Sequence, residues 1–259
     1  MLARLKRYFS NPPPATSKRK RISVDINNVS DLFVIGDIHG RLDLLKEAES
    51  RILSVPAKDA RPRLVIGVGD FIDRGPQSRQ VISHLFKPLP QPYHRICLCG
   101  NHDDSFLQFI DTPGFDRGWL DFGGMETLRS YGVDTEYLLK RAPNGSELKA
   151  TVRADVPEQH VEFLRELPIS LTIGPYLFVH AGIRPGLALD EQSDADLMWI
   201  REPFLSEGPK LDFTVIHGHT PSTEITFGPN RIGVDTGAYM TGRLDVLHIA
   251  GPNDYRVLR

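Results

Sequence analysis

Five short apolar runs constrain this chain more than any other feature. They are 32–35 (LFVI), 64–68 (LVIGV), 94–99 (HRICLC), 176–179 (YLFV) and 213–216 (FTVI). Each is rich in β-branched or aromatic side chains and has the length of a buried strand. Each is followed at once by glycine beside Asp, Asn or His: GDIHG at 36–40, GDFIDRG at 69–75, GNHD at 100–103, HAG at 180–182 and HGHT at 217–220. Helix-like segments follow at 41–54, 76–86 and 102–110, with Pro76 placed for a first helical turn, and another runs from Pro157-Glu158 to about 166. The last third, 232–258, is strand-rich. Alternating strand and helix followed mostly by strand predicts an α/β fold of stacked sheets flanked by helices.

Ligand sites in α/β sheets gather at the carboxyl ends of strands, so the polar residues there are expected to converge. The candidates are Asp37, His39, Asp70, Asn101, His180 and His219. Carboxylates, neutral imidazoles and an amide oxygen suit Mn²⁺, Fe or Zn²⁺, with no thiolate required. Six such donors are too many for one ion and fit two ions sharing a carboxylate. Two ions about 3.5–4 Å apart can bridge a hydroxide and clamp a phosphoryl group. A lone Asp-x-His at a strand end is commonly structural. Five such strand ends are hard to assign to packing, because burying that many charged groups without ions would be very costly.

Taken together, GDIHG, GDFIDRG, GNHD, HAG and GHT resemble the phosphoprotein phosphatase family of metallophosphoesterases, and in particular its short bacterial and phage-type members, relatives of the diadenosine tetraphosphatases. WIRE at 199–202 and VDTGAYMTGRL at 234–244 extend the resemblance, which covers about residues 31–250. It implies a calcineurin-like four-layer α-β-β-α sandwich with a dinuclear site at one edge. It also implies that Asp37 and His39 bind the first metal, that Asp70 bridges, and that Asn101, His180 and His219 bind the second. Mn²⁺ is the expected ion, with Fe or Zn²⁺ fitting the same donors. His102 would donate a proton to the leaving oxygen, Asp73 would orient it, and Arg74 and Arg201 would hold phosphoryl oxygens. The implied activity is phosphomonoester hydrolysis on phosphorylated Ser or Thr of a protein or peptide, by direct attack of the metal-bridging hydroxide. The alternative is a symmetrical dinucleoside polyphosphate hydrolase.

One departure is informative. Phosphodiesterase and nuclease relatives end this motif as GHxH, whereas Gly218-His219-Thr220-Pro221 places Pro221 at the second histidine, which favours the phosphomonoesterase branch. His217 reads as a strand histidine, with substrate contact as the sharper alternative. Asp103 is expected to support a helix start, Asp235 to orient a ligand, Tyr239 to edge the cleft, and Trp119 to pack in the core or form a cleft wall. His84, His94, His160 and His248 read as structural or surface residues.

Composition sets the remaining bounds. The 259 residues are 40% hydrophobic and 25% charged, ordinary for a globular protein, and no apolar run approaches the roughly 18 residues needed to cross a bilayer. The organisation predicted is a basic, Pro-rich flexible arm over 1–30 and one catalytic domain over 31–259, with a partly helical insertion at 111–156. Net charge is −2, but residues 1–24 hold seven basic residues and no acidic one, so the body is acidic. An acidic body argues against nucleic acid as a partner. The arm is read chiefly as a solubilising tail and, more sharply, as a weak contact to anionic lipid or a partner. Cys97 and Cys99 are too close in sequence for an unstrained disulfide, and with no signal-peptide core they point to a cytoplasmic location.

Overall fold

A computed structural model describes residues 19–259. The chain begins with β1 (Arg21–Val24), β2 (Asp31–Ile35), α1 (Leu42–Leu53), β3 (Arg63–Gly67), α2 (Ser78–Leu85), β4 (Tyr93–Cys97) and α3 (Asn101–Asp111). A single wide turn of helix, Leu120–Gly124, leads into α4 (Met125–Ser130), then α5 (Thr135–Arg141), α6 (Ser146–Asp155) and α7 (Glu158–Glu166). There follow β5 (Ser170–Ile173), β6 (Tyr176–Val179), α8 (Asp194–Trp199), α9 (Phe204–Glu207), β7 (Thr214–His217), β8 (Thr226–Gly228), β9 (Arg231–Gly233), α10 (Ala238–Thr241), β10 (Val246–Gly251) and β11 (Asp254–Leu258).

Two sheets form, ordered β1-β5-β6-β7-β9-β8 and β11-β10-β2-β3-β4. Strands β2, β3 and β4 run parallel, joined by α1 and α2 as crossover helices. Alternation along each strand sends side chains to opposite faces. Leu32, Val34, Leu64 and Ile66 from one sheet thus meet Tyr176, Phe178, Ile216 and Ile232 from the other in a core between the sheets. Phe33, Ile35 and Val65 face outward onto Leu44, Leu45, Ala48 and Ile52 of α1 and Val81 and Ile82 of α2. Leu177, Val179 and Val215 face the other way, onto Leu197 and Met198 of α8 and Phe204 of α9. The result is the expected sandwich of two sheets between helical layers. Strands β2 and β3, covered on both faces, read as unbroken apolar runs for that reason.

Three expectations need adjustment. The arm does not extend to residue 30: Arg21–Val24 pairs in parallel with β5, Arg21 opposite Ser170. Its basic residues anchor it, with Arg19 bonded to Asp104 and Arg21 to Asp194, each at 2.8 Å. The reading of the arm as a lipid or partner contact falls on residues 1–18, outside the described residues. Helix α2 starts at Ser78, two residues after Pro76, because Gln77 is not helical (φ −123°, ψ 33°). The 111–156 segment, expected as a partly helical insertion, is largely helical and supplies Trp119, Leu128, Leu148 and Val152 to the main core. No helix among the described residues is long and apolar enough to cross a membrane.

Candidate active site

The carboxyl ends of β2, β3, β4, β6 and β7 open onto one place. The turns that follow them are tight, and His39, Asp70, Asp73, Arg74 and His219 all adopt left-handed backbone conformations, with φ of 46°, 55°, 71°, 66° and 63°. Such positions cost about 1–3 kcal/mol each for non-glycine residues and persist where the surroundings over-determine them. Here the Asp70 carbonyl accepts from the N–H groups of both Ile38 and His39, at 3.1 and 2.9 Å, tying two of these turns together. At Gly218, a β-carbon would lie 2.2 Å from Asp37 Oδ1, so only glycine lets the His219 loop reach the first carboxylate.

All ten residues singled out by the sequence fall in one contact network. His219 N–H donates to Asp37 Oδ1 at 3.1 Å. His39 Nε2 lies 3.9 Å from Asp37 Oδ2 and 3.7 Å from Asp70 Oδ2, while its Nδ1 donates to the Ile72 carbonyl at 2.8 Å. His180 Nε2 lies 3.4 Å from Asp70 Oδ2, and its Nδ1 donates to the Val68 carbonyl. Asn101 Oδ1 is shared by His180 Nε2 at 2.8 Å and His219 Nδ1 at 2.9 Å. Arg74 reaches Nε2 of both His39 and His102, at 3.0 and 2.8 Å, and Arg201 donates to the His219 carbonyl at 3.2 Å. His102 Nδ1 is 2.7 Å from Asp73 Oδ2.

Two groups of donors in this network can hold a cation. His39, Asp70 and His102 form one and Asp70, His180 and His219 the other, with the donor atoms of each within 4.8 Å of one another. Asp70 belongs to both. His219 Nε2 and Asn101 Nδ2 are buried without a hydrogen-bond partner in the protein. A buried imidazole nitrogen with no partner is costly unless a further ligand takes its lone pair. The donor chemistry, the shared carboxylate and the unmatched nitrogen fit divalent ions.

Known proteins match the same chain. The model of the calcineurin-like phosphoesterase family matches residues 31–249. The chain belongs to this family. Among its relatives is serine/threonine-protein phosphatase 2 of Escherichia coli, 27% identical over 248 residues, covering 91% of this chain and 99% of that protein. An asymmetrical bis(5'-nucleosyl)-tetraphosphatase of Anoxybacillus flavithermus is 24% identical over 235 residues, covering 83% of this chain and 88% of that protein. The solved structure of a Saccharomyces cerevisiae protein serine/threonine phosphatase shares the fold with a TM-score of 0.60 at 16% identity, over 99% of this chain and 86% of that one. The chain is therefore a metallophosphoesterase, a hydrolase of phosphoric esters, with His/Asp metal-binding groups at its centre.

The electrostatics of the phosphoesterase site follow from burial. Burial, with Asp235 and Asp70 nearby, pushes Asp37 well above the ordinary carboxylate range; burial and Asp103 do the same to Asp70. Burial holds His39, His102 and His219 well below the usual imidazole range and His180 at about 3. Neutral imidazoles beside mutually repelling carboxylates are suited to accepting cations.

Other residues acquire definite places. Asp103 is fully buried and accepts three backbone N–H groups, from Asp70 at 2.9 Å, Gly100 at 3.0 Å and Phe71 at 3.1 Å, so it supports the helix start and the Asp70 turn together. Tyr239 meets the His39 ring edge-on at 5.2 Å and lies under Arg74 at 4.7 Å, at the edge of the site as expected. Asp235 accepts from Gly237 N–H at 2.8 Å and adds negative charge beside Asp37. His217 points away toward Phe204, bonded to the Gly218 carbonyl at 3.0 Å, with Nε2 buried and unpartnered. His84, His160 and His248 bond Glu49, Tyr131 and Asp31, and His94 is exposed; none of the four joins the site. Trp119, expected as a core or cleft-wall residue, bonds Asp73, and two residues the sequence does not single out join it: Thr127 also bonds Asp73, and Phe122 stacks on His102 at 3.9 Å. The GG pair at 123–124 was the one sequence signal of a close approach there.

Proposed function

We propose that this phosphoesterase removes phosphate from phosphoproteins, chiefly at phosphoserine and phosphothreonine. The observation that carries the reading is that one His–Asp pair, His102 and Asp73, and two guanidinium groups, Arg74 and Arg201, adjoin the donors gathered about Asp70. Asp37 and His39 would hold one ion, Asn101, His180 and His219 the other, and Asp70 both, with Mn²⁺ the expected metal. When bound, such a pair neutralises phosphoryl oxygens and supplies a water-derived nucleophile near neutral pH.

The chain's own residues perform the remaining work. Arg74 and Arg201 offer planar, multidentate donors to phosphoryl oxygens, which a lysine would not. With Nδ1 of His102 committed to Asp73, its Nε2 faces the same space as Arg74. Burial keeps His102 from holding a second proton in the resting protein. A phosphoryl dianion beside Nε2 favours the charged imidazole, the form able to donate. Nε2–H then passes its proton to the ester oxygen as the phosphorus–oxygen bond breaks, and the leaving group departs as a neutral alcohol.

The serine/threonine phosphatase relative supports a protein substrate. The tetraphosphatase relative supports a second reading, hydrolysis of dinucleoside polyphosphates. Purified protein loaded with Mn²⁺ is expected to turn over a phosphoserine peptide faster than diadenosine tetraphosphate. Cleavage of the dinucleotide alone would overturn the protein-phosphatase reading. A cytoplasmic location belongs to the same proposal and is supported by Cys97 and Cys99, which form no disulfide.

A further inference from the structure

Asp73 is fully buried and sits in a left-handed turn. Its oxygens are fixed from another part of the chain. Trp119 Nε1 donates to Oδ2 at 2.8 Å, the same oxygen that faces His102 Nδ1. Thr127 Oγ donates to Oδ1 at 2.6 Å and accepts the Asp73 N–H at 2.9 Å. Ser78 Oγ stands 3.0 Å from Thr127 Oγ and completes the ring.

The segment carrying these donors is shaped for the task. A β-carbon on Gly124 would lie 2.5 Å from the Trp119 indole, so glycine there lets the chain double back over the ring. The Gly123 carbonyl, reached by that reversal, accepts from Arg74 N–H at 3.1 Å. Phe122 lies flat on His102, with ring centroids 3.9 Å apart and planes 11° apart. A single stretch, 119–127, thus touches Asp73, Arg74 and His102.

We propose that Trp119 and Thr127 are positioning residues for proton donation: their two donors lock the Asp73 carboxylate onto His102 Nδ1, which keeps Nε2 aimed at the leaving oxygen. The proposal rests on the reading of His102 as the acid. A core role alone would require only the shapes of Trp119 and Thr127. It does not account for both polar atoms converging on the two oxygens of one buried carboxylate that already binds the histidine. A buried carboxylate needs donors, but Ser78 and backbone N–H groups could supply them; the use of both oxygens fixes direction as well as charge.

The test compares leaving groups in the Mn²⁺-loaded full chain. Phenyl phosphate, with a poor leaving group, depends on the acid; 2,4-dinitrophenyl phosphate does not. Trp119→Phe and Thr127→Val are each expected to lower kcat on phenyl phosphate about tenfold, a part of the roughly 10²–10⁴ that general acid catalysis supplies. The same variants should change kcat on the dinitrophenyl ester less than about twofold and leave KM unaltered. Thr127→Ser, which restores the hydroxyl, should recover most of the Thr127→Val loss. Equal slowing on both esters, or a Thr127→Ser as slow as Thr127→Val, would show a packing role only and overturn the proposal. His102→Asn separates the two readings. If it discriminates between the esters while the Trp119 and Thr127 variants do not, the positioning role falls alone. If it slows both esters alike, the acid reading fails and takes the proposal with it.

Discussion

Asp103 offers the most direct test of how this site is held in shape. Its carboxylate makes no bond to the His102–Asp73 pair, yet it accepts three buried N–H groups, two of them through Oδ2, from Asp70 and Gly100, and one through Oδ1, from Phe71. Asp103→Ala removes the acceptor and leaves those donors facing a small void. Each orphaned buried donor costs about 1–3 kcal/mol, so the expected loss is roughly 3–9 kcal/mol. Against a typical total of about 5–15 kcal/mol, that is a large share of the stability of the domain. Asp103→Asn is a graded control. Its amide oxygen can serve the two donors at Oδ2, while its NH₂ meets the Phe71 N–H, so one bond is lost and one donor is stranded, at about 1–3 kcal/mol. Urea unfolding in EDTA measures both, because a bound ion would add its own stabilisation and mask the difference. Loss of less than about 1 kcal/mol in the alanine variant would refute the view that Asp103 holds the Asp70 turn.

Three further outcomes are expected. Asp70→Asn should lose divalent ion and turnover together by metal analysis and phosphatase assay, since the carboxylate belongs to both donor groups; two ions retained at full occupancy would exclude a shared ligand. The rise in thermal midpoint on adding Mn²⁺ should be smaller in acidic than in alkaline solution. Asp37 and Asp70 are held above their ordinary 3.8, so they keep protons that an ion must displace, and ion binding strengthens as pH rises through that raised range; a flat response would contradict it. Deleting residues 1–24 should cost about 3 kcal/mol or more, because it strips Arg21 from Asp194, whose side chain is 3% exposed, and removes β1 from its sheet. An unchanged unfolding midpoint would show that the strand contributes nothing.

How much of this was legible depends on distance along the chain. The five strand–glycine–polar units were readable because strand, turn and ligand lie within about ten residues, and each obeys local rules of alternation and turn geometry. β1 was hidden by its own brevity and basic flank: Arg21 finds Ser170 and Asp194 only when the chain has folded. Trp119 reads as a core aromatic or a cleft wall, and at 1% exposed it is buried. Its bond to Asp73 spans 46 residues and that of Thr127 spans 54, and no local pattern records a hydrogen bond at that range.

The sequence by itself determined which side chains stand at the strand ends, since strand period and glycine turns are consequences of short-range sterics. Tertiary structure alone decided which atom of each side chain faces its neighbour. Asp103 became the support of the Asp70 turn, and Asp73 came to accept from an indole and a hydroxyl of a remote helical segment. Direction in a buried polar network is set by partners that arrive from elsewhere in the chain, because a carboxylate rotates freely until its hydrogen bonds are made.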